Sequence, residues 1–248
     1  MNRTLLVQHA AQILINVPPN ELDQVLAEIK KVHVVNYLVW TAEELSAIAN
    51  EQIARLRERL GKLVTKGEVT QEQVDAIVAC LESKREAAIA KAMGVPIIYT
   101  HLPLLAAISK EHLTCTIQMP MVKLGEDTGT NHLNDDEFTN KVELPKGIAW
   151  WLTDVEDGQQ FCTNETSSED EENIIEEQGR LRVIATGAIA LGIQTDVLAR
   201  HNVVAPGSRF RNYGTPDLFS FAGEPGLGCS NVGREPARWG SASCSNYI

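Results

Sequence analysis

Two polar tetrads place the tightest constraint on what this chain can fold into. Residues Thr41 to Glu44 read TAEE and residues Thr70 to Gln73 read TQEQ. Each has the form of a capping box, in which a Thr hydroxyl accepts from the amide three residues on and that residue's side chain reaches back to the Thr amide. Behind the first, Leu45, Ile48, Ala49, Ile53, Leu56, Leu60 and Leu63 recur at steps of mostly three and four residues; behind the second, Val74, Ile77, Val78, Leu81, Ala88, Ile89 and Ala92 recur in the same way. Gly67 supplies a turn between the two runs, and Gly94 followed by Pro96 stops the second. The pattern predicts an antiparallel helical hairpin over residues 41 to 94, joined near Lys66 and Gly67. Two uses of its apolar stripes stay open: cover for the protein's own core, or a projecting arm that dimerises or grips a partner.

The rest of the N-terminal part reads as helical. PPNELDQVLAEIKKV is an amphipathic helix entered through Pro18 and Pro19 with Asn20 as its cap, and VHVVNYLVW is a strand by β-propensity or a continuation of that helix. From Val95 the texture changes to short apolar runs punctuated by Pro and Gly. VPIIYTHLPL, LTCTIQMPMVKL and IAWWLTDVEDG read as strands, GEDTGTNHLNDDEFTN as a polar loop, and CTNETSSEDEENIIEEQG as loop leading into helix. RVIATGAIALGIQTDVLARHN reads as one or two short helices broken near Gly192 and Gln194, and everything beyond as small strands and tight turns. The fold class expected is α+β, with a helical region over residues 1–94 and a mixed domain of short strands over 95–248.

Composition excludes several classes. No run approaches the 18 apolar residues of a membrane span, and the N-terminal apolar stretch is broken by Gln8, His9 and Gln12, so it reads as an amphipathic helix and not as a signal peptide. A cytoplasmic protein is expected. The five cysteines, at 80, 115, 162, 229 and 244, form no C-x-x-C pair. They point to reduced thiols, with neither a disulfide framework nor a zinc site, and the sequons at Asn2 and Asn164 are then without consequence. The net charge of −11 is local: residues 126 to 177 hold 16 acids against Lys141 and Lys146, a charge of −14, which leaves the remainder at +3. Such an acidic middle section argues against nucleic acid as a partner. The last 102 residues contain seven arginines and no lysine, and Arg is the cation suited to gripping carboxylates in partly buried places.

The sequence motifs mostly dissolve on inspection. Asp127-Thr128-Gly129 has the letters of an aspartic-protease triplet but follows Gly125 and Glu126 instead of an apolar strand. The run from Asp154 places Gly158 at position five, where a calcium loop needs its glycine at six; the carboxylates of 165–172 read as a solvated charge run, with a weak cation site as the alternative. Gly187 to Gly192 lacks both the Lys-Ser/Thr of a phosphate loop and the Rossmann spacing, so its glycines read as aids to close helix packing. No cofactor or metal is implied. Cys229, Cys244, Ser241 and Ser243 are the candidate nucleophiles, and His201 is the one histidine in the last hundred residues able to serve them. A buried cysteine acting as a small hydrophobe is the plainer reading of Cys244.

Five stretches, VELPKGIAWWLTDVEDG, EEQGRLRVIATGAIALGIQTDVLARHN, APGSRF, LGCSNVG and the tail WGSASC, together resemble an uncharacterised bacterial family, a domain of unknown function common in actinobacteria. The resemblance spans about residues 95 to 245 and is most specific in WGSASC with GSRF upstream. It implies an ordered tail inside a folded domain and carries no catalytic or binding residue with it. Where such proteins tend to show aromatic residues and a His before the final Trp, this chain has Cys229, Ser230, Asn231 and Arg234.

Two functions are therefore expected, in order. The first is a non-catalytic binding or assembly protein whose helical region contacts a protein partner or a second copy. The second is a hydrolase or transferase acting on a small polar or anionic substrate, with a site built from Ser208, Arg209, Trp239, Ser241 and Cys244, in which Arg209 grips an anionic group and Trp239 forms an apolar wall. The tail's small residues beside Trp239 predict that this indole is buried.

Overall fold

The computed structural model describes residues 40–93, 102–142, 147–153, 168–177, 179–211, 214–231, 239–241, 243–244 and 246–248. The expected N-terminal helix and strand before Trp40, and the loop beginning at Asp154, lie outside the described residues. In chain order the elements are α1 (Ala42–Lys66), α2 (Gln71–Met93), β1 (Leu104–Ile108), the one-turn α3 (Cys115–Gln118), and the short strands β2 (Lys123–Leu124), β3 (Asp127–Thr128), β4 (Thr130–Asn131) and β5 (Phe138–Asn140). There follow β6 (Ile148–Leu152), α4 (Ser168–Glu177), β7 (Leu181–Arg182), α5 (Ala185–Gln194), β8 (Asn202–Val204), β9 (Ser208–Phe210), β10 (Gly214–Phe221), β11 (Glu224–Asn231), β12 (Trp239–Ser241), β13 (Ser243–Cys244) and β14 (Asn246–Tyr247). The fold is α+β.

Both capping boxes form. Thr41 Oγ1 accepts from the Glu44 amide at 3.2 Å while the Thr41 amide donates to Glu44 Oε2 at 2.9 Å; Thr70 and Gln73 repeat the exchange at 3.2 and 2.8 Å. Gly67 ends α1 at φ 76°, with its own amide on Val64 O and the Glu68 amide on Leu63 O. That pair of bonds satisfies the last carbonyls and requires a left-handed residue, which glycine supplies. Of the fourteen stripe positions only Ile48 is half-buried, and the others are buried.

What covers the stripes is the chain's own sheet, in the order β1-β6-β14. β1 and β6 run antiparallel with Leu104 opposite Leu152 and Ile108 opposite Ile148, and all ten residues are buried, so the sheet is covered on both faces. The adjacent tryptophans show how. Trp150 Nε1 donates to Leu81 O of α2 at 2.9 Å, whereas the Trp151 ring lies against Gly187 of α5; successive strand residues alternate faces, and here they address opposite layers. The far edge of β1 is closed by Gln52 of α1, whose amide donates to Leu104 O at 2.6 Å and accepts from Ala106 N at 2.8 Å. One continuous apolar cluster therefore runs from Leu45 to Cys244.

α5 is buried along its whole length, between this sheet and the larger one. Its glycines serve the two sides: a methyl group at 187 would meet Trp151 at 2.7 Å, and one at 192 would meet Leu218 of β10 at 2.6 Å. The helix passes through Gly192 unbroken to Gln194, where Arg55 of α1 donates to the terminal carbonyl, a cation placed where the helix dipole favours it. The second sheet has the order β12-β8-β10-β11-β4, with β9 joining β10 to β5. The stretch from Gly125, expected as an irregular polar loop, instead contributes β3, β4 and β5; main-chain pairing to β2, β11 and β9 overrides its polar composition.

Candidate functional site

Ser208 and Arg209 lie on β9, and Ser243 and Cys244 on β13. Between them runs β7: Ser243 pairs with Arg182 and Cys244 with Leu181 on one side, while the Gly207 amide donates to Val183 O at 2.9 Å on the other. Gly207 makes that approach possible, since a methyl group there would sit 2.7 Å from Arg182 O. Four of the residues singled out in the sequence thus gather around one short strand. Trp239 and Ser241 do not join them. They belong to β12, which pairs with β8 in parallel, Trp239 opposite Asn202 and Ser241 opposite Val204; their side chains, and with them the expected burial of Trp239, lie outside the described residues.

The gathered groups are engaged in the fold. Ser208 Oγ accepts from the Ala185 amide at 3.0 Å, the first amide of α5, and donates to Asn140 Oδ1 at 2.8 Å. Cys244 is fully buried within the apolar cluster. Arg209 is 4 % exposed. Its Nη1 donates to the carbonyls of Pro206 and Ser208 at 3.2 and 2.9 Å, and its Nη2 forms an ion pair with Glu172 Oε1 that is not aligned as a hydrogen bond.

Glu172 is the centre of this region. It comes from α4, in the acidic segment read as a solvated charge run, and it is buried. Its second oxygen receives Arg182 Nη1 at 2.8 Å and Lys141 Nζ at 3.4 Å, and Arg182 also pairs with Glu176 one turn along. Arg180 Nε donates to Ser243 Oγ at 2.8 Å. Three cations from β9, β7 and the end of β5 converge on one carboxylate, which is how a charge tolerates burial.

A second buried carboxyl has no such company. Asp217, on β10, is 2 % exposed, and burial pushes its carboxyl up to about 7 despite a hydrogen bond with Ser230 that pulls the other way. Its Oδ1 and the hydroxyl of Thr215, two residues before on the same strand face, are buried without hydrogen-bond partners. Ser230 and Gly228 stand opposite them on β11, and the Phe219 ring lies over Gly226 and Gly228. Neither Glu172 nor Asp217 was singled out by sequence. The signal for Asp217 was an acid inside the strand-like run TPDLFSF; Glu172 had none, being one of six acids in SEDEENIIEE.

The remaining candidates are quiet. His201 Nδ1 lies 2.9 Å from Asn202 O, which fixes the proton on that nitrogen, and Nε2 is buried without a partner. Burial first, and the Asp135 carboxylate second, push the Cys115 thiol far up; burial and then Asp217 raise that of Cys229. Both shifts favour the protonated thiol over the thiolate that nucleophilic attack or metal binding requires. Among the described residues no group of three or more His, Cys, Asp or Glu side chains is placed to hold a metal ion, and no helix is long and apolar enough to cross a membrane. No protein-family model, curated protein or solved structure matches the chain.

Proposed function

We propose that the protein is a non-catalytic binding or assembly protein of the cytoplasm, acting on a protein partner or a second copy through its helical region, and that it belongs to the uncharacterised bacterial family its C-terminal segments resemble. The observation that carries this reading is the commitment of the candidate reactive groups: Ser208 is bonded on both sides, Arg209 is held by two carbonyls and Glu172, and Cys244 is core. The stripes of the hairpin are covered internally, so a contact of this kind uses its outer face, where exposed Ala54, Ala76 and Ala79 lie among Arg57, Glu58 and Glu82. Sedimentation velocity from micromolar to near-millimolar protein tests self-association, with Ala54→Glu/Ala79→Glu as the interrupting variant. A concentration-dependent oligomer that this variant dissolves supports the reading; an oligomer indifferent to it would move the contact elsewhere.

One observation favours a second reading, the hydrolase or transferase. A buried carboxyl that titrates near neutrality is suited to accept or donate a proton at working pH, and Asp217 has this property beside two hydroxyls. Turnover of p-nitrophenyl acetate or p-nitrophenyl phosphate that follows a pH profile centred near 7, and that Asp217→Asn abolishes, would establish it. Equal rates for wild type and variant would remove Asp217 from any such role.

A further inference from the structure

We propose that Arg209, Arg182 and Lys141 form a binding site for a small oxyanion, a phosphate or a carboxylate, and that Glu172 occupies it here as a built-in stand-in. What a carboxylate oxygen pair receives in this cluster is what a phosphate group receives from arginines: N–H donors from several directions with most water removed. Arg209 is set in place independently of Glu172, because its Nη1 is tied to the carbonyls of Pro206 and Ser208. Arg182 pairs with Glu176 of the same helix as Glu172, and its Nε is buried with no partner, a donor that Glu172 leaves unused. Arg209 is thus preorganised, and Arg182 retains a donor for a larger or differently shaped anion.

The occupying half is built differently. Glu172 rides on the ten-residue α4, where, among the residues whose side chains are described, Ile175 is also buried, Ile174 is half-buried, and Glu176 is exposed apart from its contact with Arg182. Displacing Glu172 therefore loosens one short surface helix and leaves the sheets intact. By linkage, an oxyanion that takes the place of Glu172 promotes release of α4, and any partner that captures a released α4 tightens oxyanion binding by the same factor.

The test uses the full chain carrying Glu172→Gln, which keeps the shape and removes the competing charge, titrated with inorganic phosphate and separately with acetate at constant ionic strength set by chloride. The variant is expected to bind one of the two about tenfold more tightly than wild type, within the usual range of coupling between sites, and to lose that gain when Arg209→Gln is added. Preference for phosphate over acetate, or the reverse, names the natural chemistry. Affinity no higher than wild type, or a gain that survives Arg209→Gln, would overturn the proposal. Should Glu172→Gln not fold, hydrogen exchange of wild type decides: amides of residues 172–177 exchange faster in saturating phosphate or acetate than in chloride if Glu172 is displaced, and unchanged rates in both refute it.

Discussion

The helical hairpin and the arginine cluster are both built around buried side chains, yet they are specified in opposite ways. In the hairpin the determinants are local: each capping box, each step of the stripe and the turn at Gly67 joins residues no more than about five apart. In the cluster every determinant is distant, since Glu172, Arg182 and Arg209 belong to three different elements, Lys141 follows a fourth, and none has meaning until the chain has folded. The hairpin contributes shape and apolar cover. The cluster contributes buried charge pairing, and its position follows from the strands and not from any motif.

The largest test of this contrast is at the seam where hairpin meets sheet. Trp150 is fully buried and bonded to α2, so Trp150→Ala is expected to cost about 3–5 kcal/mol, as large aromatic truncations in cores do. Chemical denaturation should show one transition shifted as a whole. If the hairpin instead melted separately from residues 102–248, its independence would extend from sequence to stability, and the single continuous core described above would be refuted.

Asp217 gives the next largest effect, with a sign set by pH. Its carboxyl ionises near 4 in the unfolded chain and near 7 in the folded one, so the native state holds the extra proton between those values. The contribution of Asp217 to stability is then greatest below about pH 4, falls as pH rises toward 7 and is level beyond. Asp217→Asn removes this loss. The variant should match wild type at pH 4 and exceed it by roughly 2–4 kcal/mol at pH 8, from about three pKa units at 1.36 kcal/mol each less the cost of relaxation. Urea midpoints at the two pH values decide it, and equal midpoints at pH 8 would mean the buried carboxyl is compensated after all.

How far the sequence was legible follows the same local-to-distant line. The hairpin's ends, turn and thirteen of fourteen stripe residues could be named in advance because a period of 3.6 and a capping box are written into adjacent residues. The α+β class and the packing role of Gly187 and Gly192 were also readable. The eight-residue strands β10 and β11 were not, and the reason is their turn: Ala222 and Gly223 both have positive φ, at 53° and 92°, a conformation usually announced by Asn-Gly or Asp-Gly. With Ala in the first position and Pro216 and Pro225 inside the strands, FSFAGEP reads as irregular chain. Of the five site candidates, Ser208, Arg209 and Cys244 gather around β7 and only Arg209 meets Glu172; that pairing was invisible because nothing in SEDEENIIEE distinguishes the buried acid from its neighbours.

Close packing of α5 provides a third, smaller effect. A methyl group at residue 187 would meet Val183 and Trp151 at 2.6 and 2.7 Å, so Gly187→Ala is expected to cost about 1–3 kcal/mol through overpacking, even though Ala is the better helix former by roughly 1 kcal/mol. A thermal melt in which the variant equals or exceeds wild type would show that the helix can shift away from the sheet.

The smallest effect tests whether the hairpin's signals are as local as they read. Thr41 and Thr70 each accept from an amide at 3.2 Å, and Glu44 and Gln73, which accept in return, are exposed. Thr41→Ala and Thr70→Ala should each cost about 1 kcal/mol, the ordinary value of an exposed N-cap. The two caps lie at the starts of antiparallel helices and share no partner, so the double variant should cost the sum to within about 0.5 kcal/mol. Sub-additive losses would mean that losing one cap already frays the other helix through the turn at Gly67, and the hairpin would then be a cooperative unit and not two independently written helices. Measured additivity would support the local account, because it requires each helix start to be stabilised by its own four residues alone.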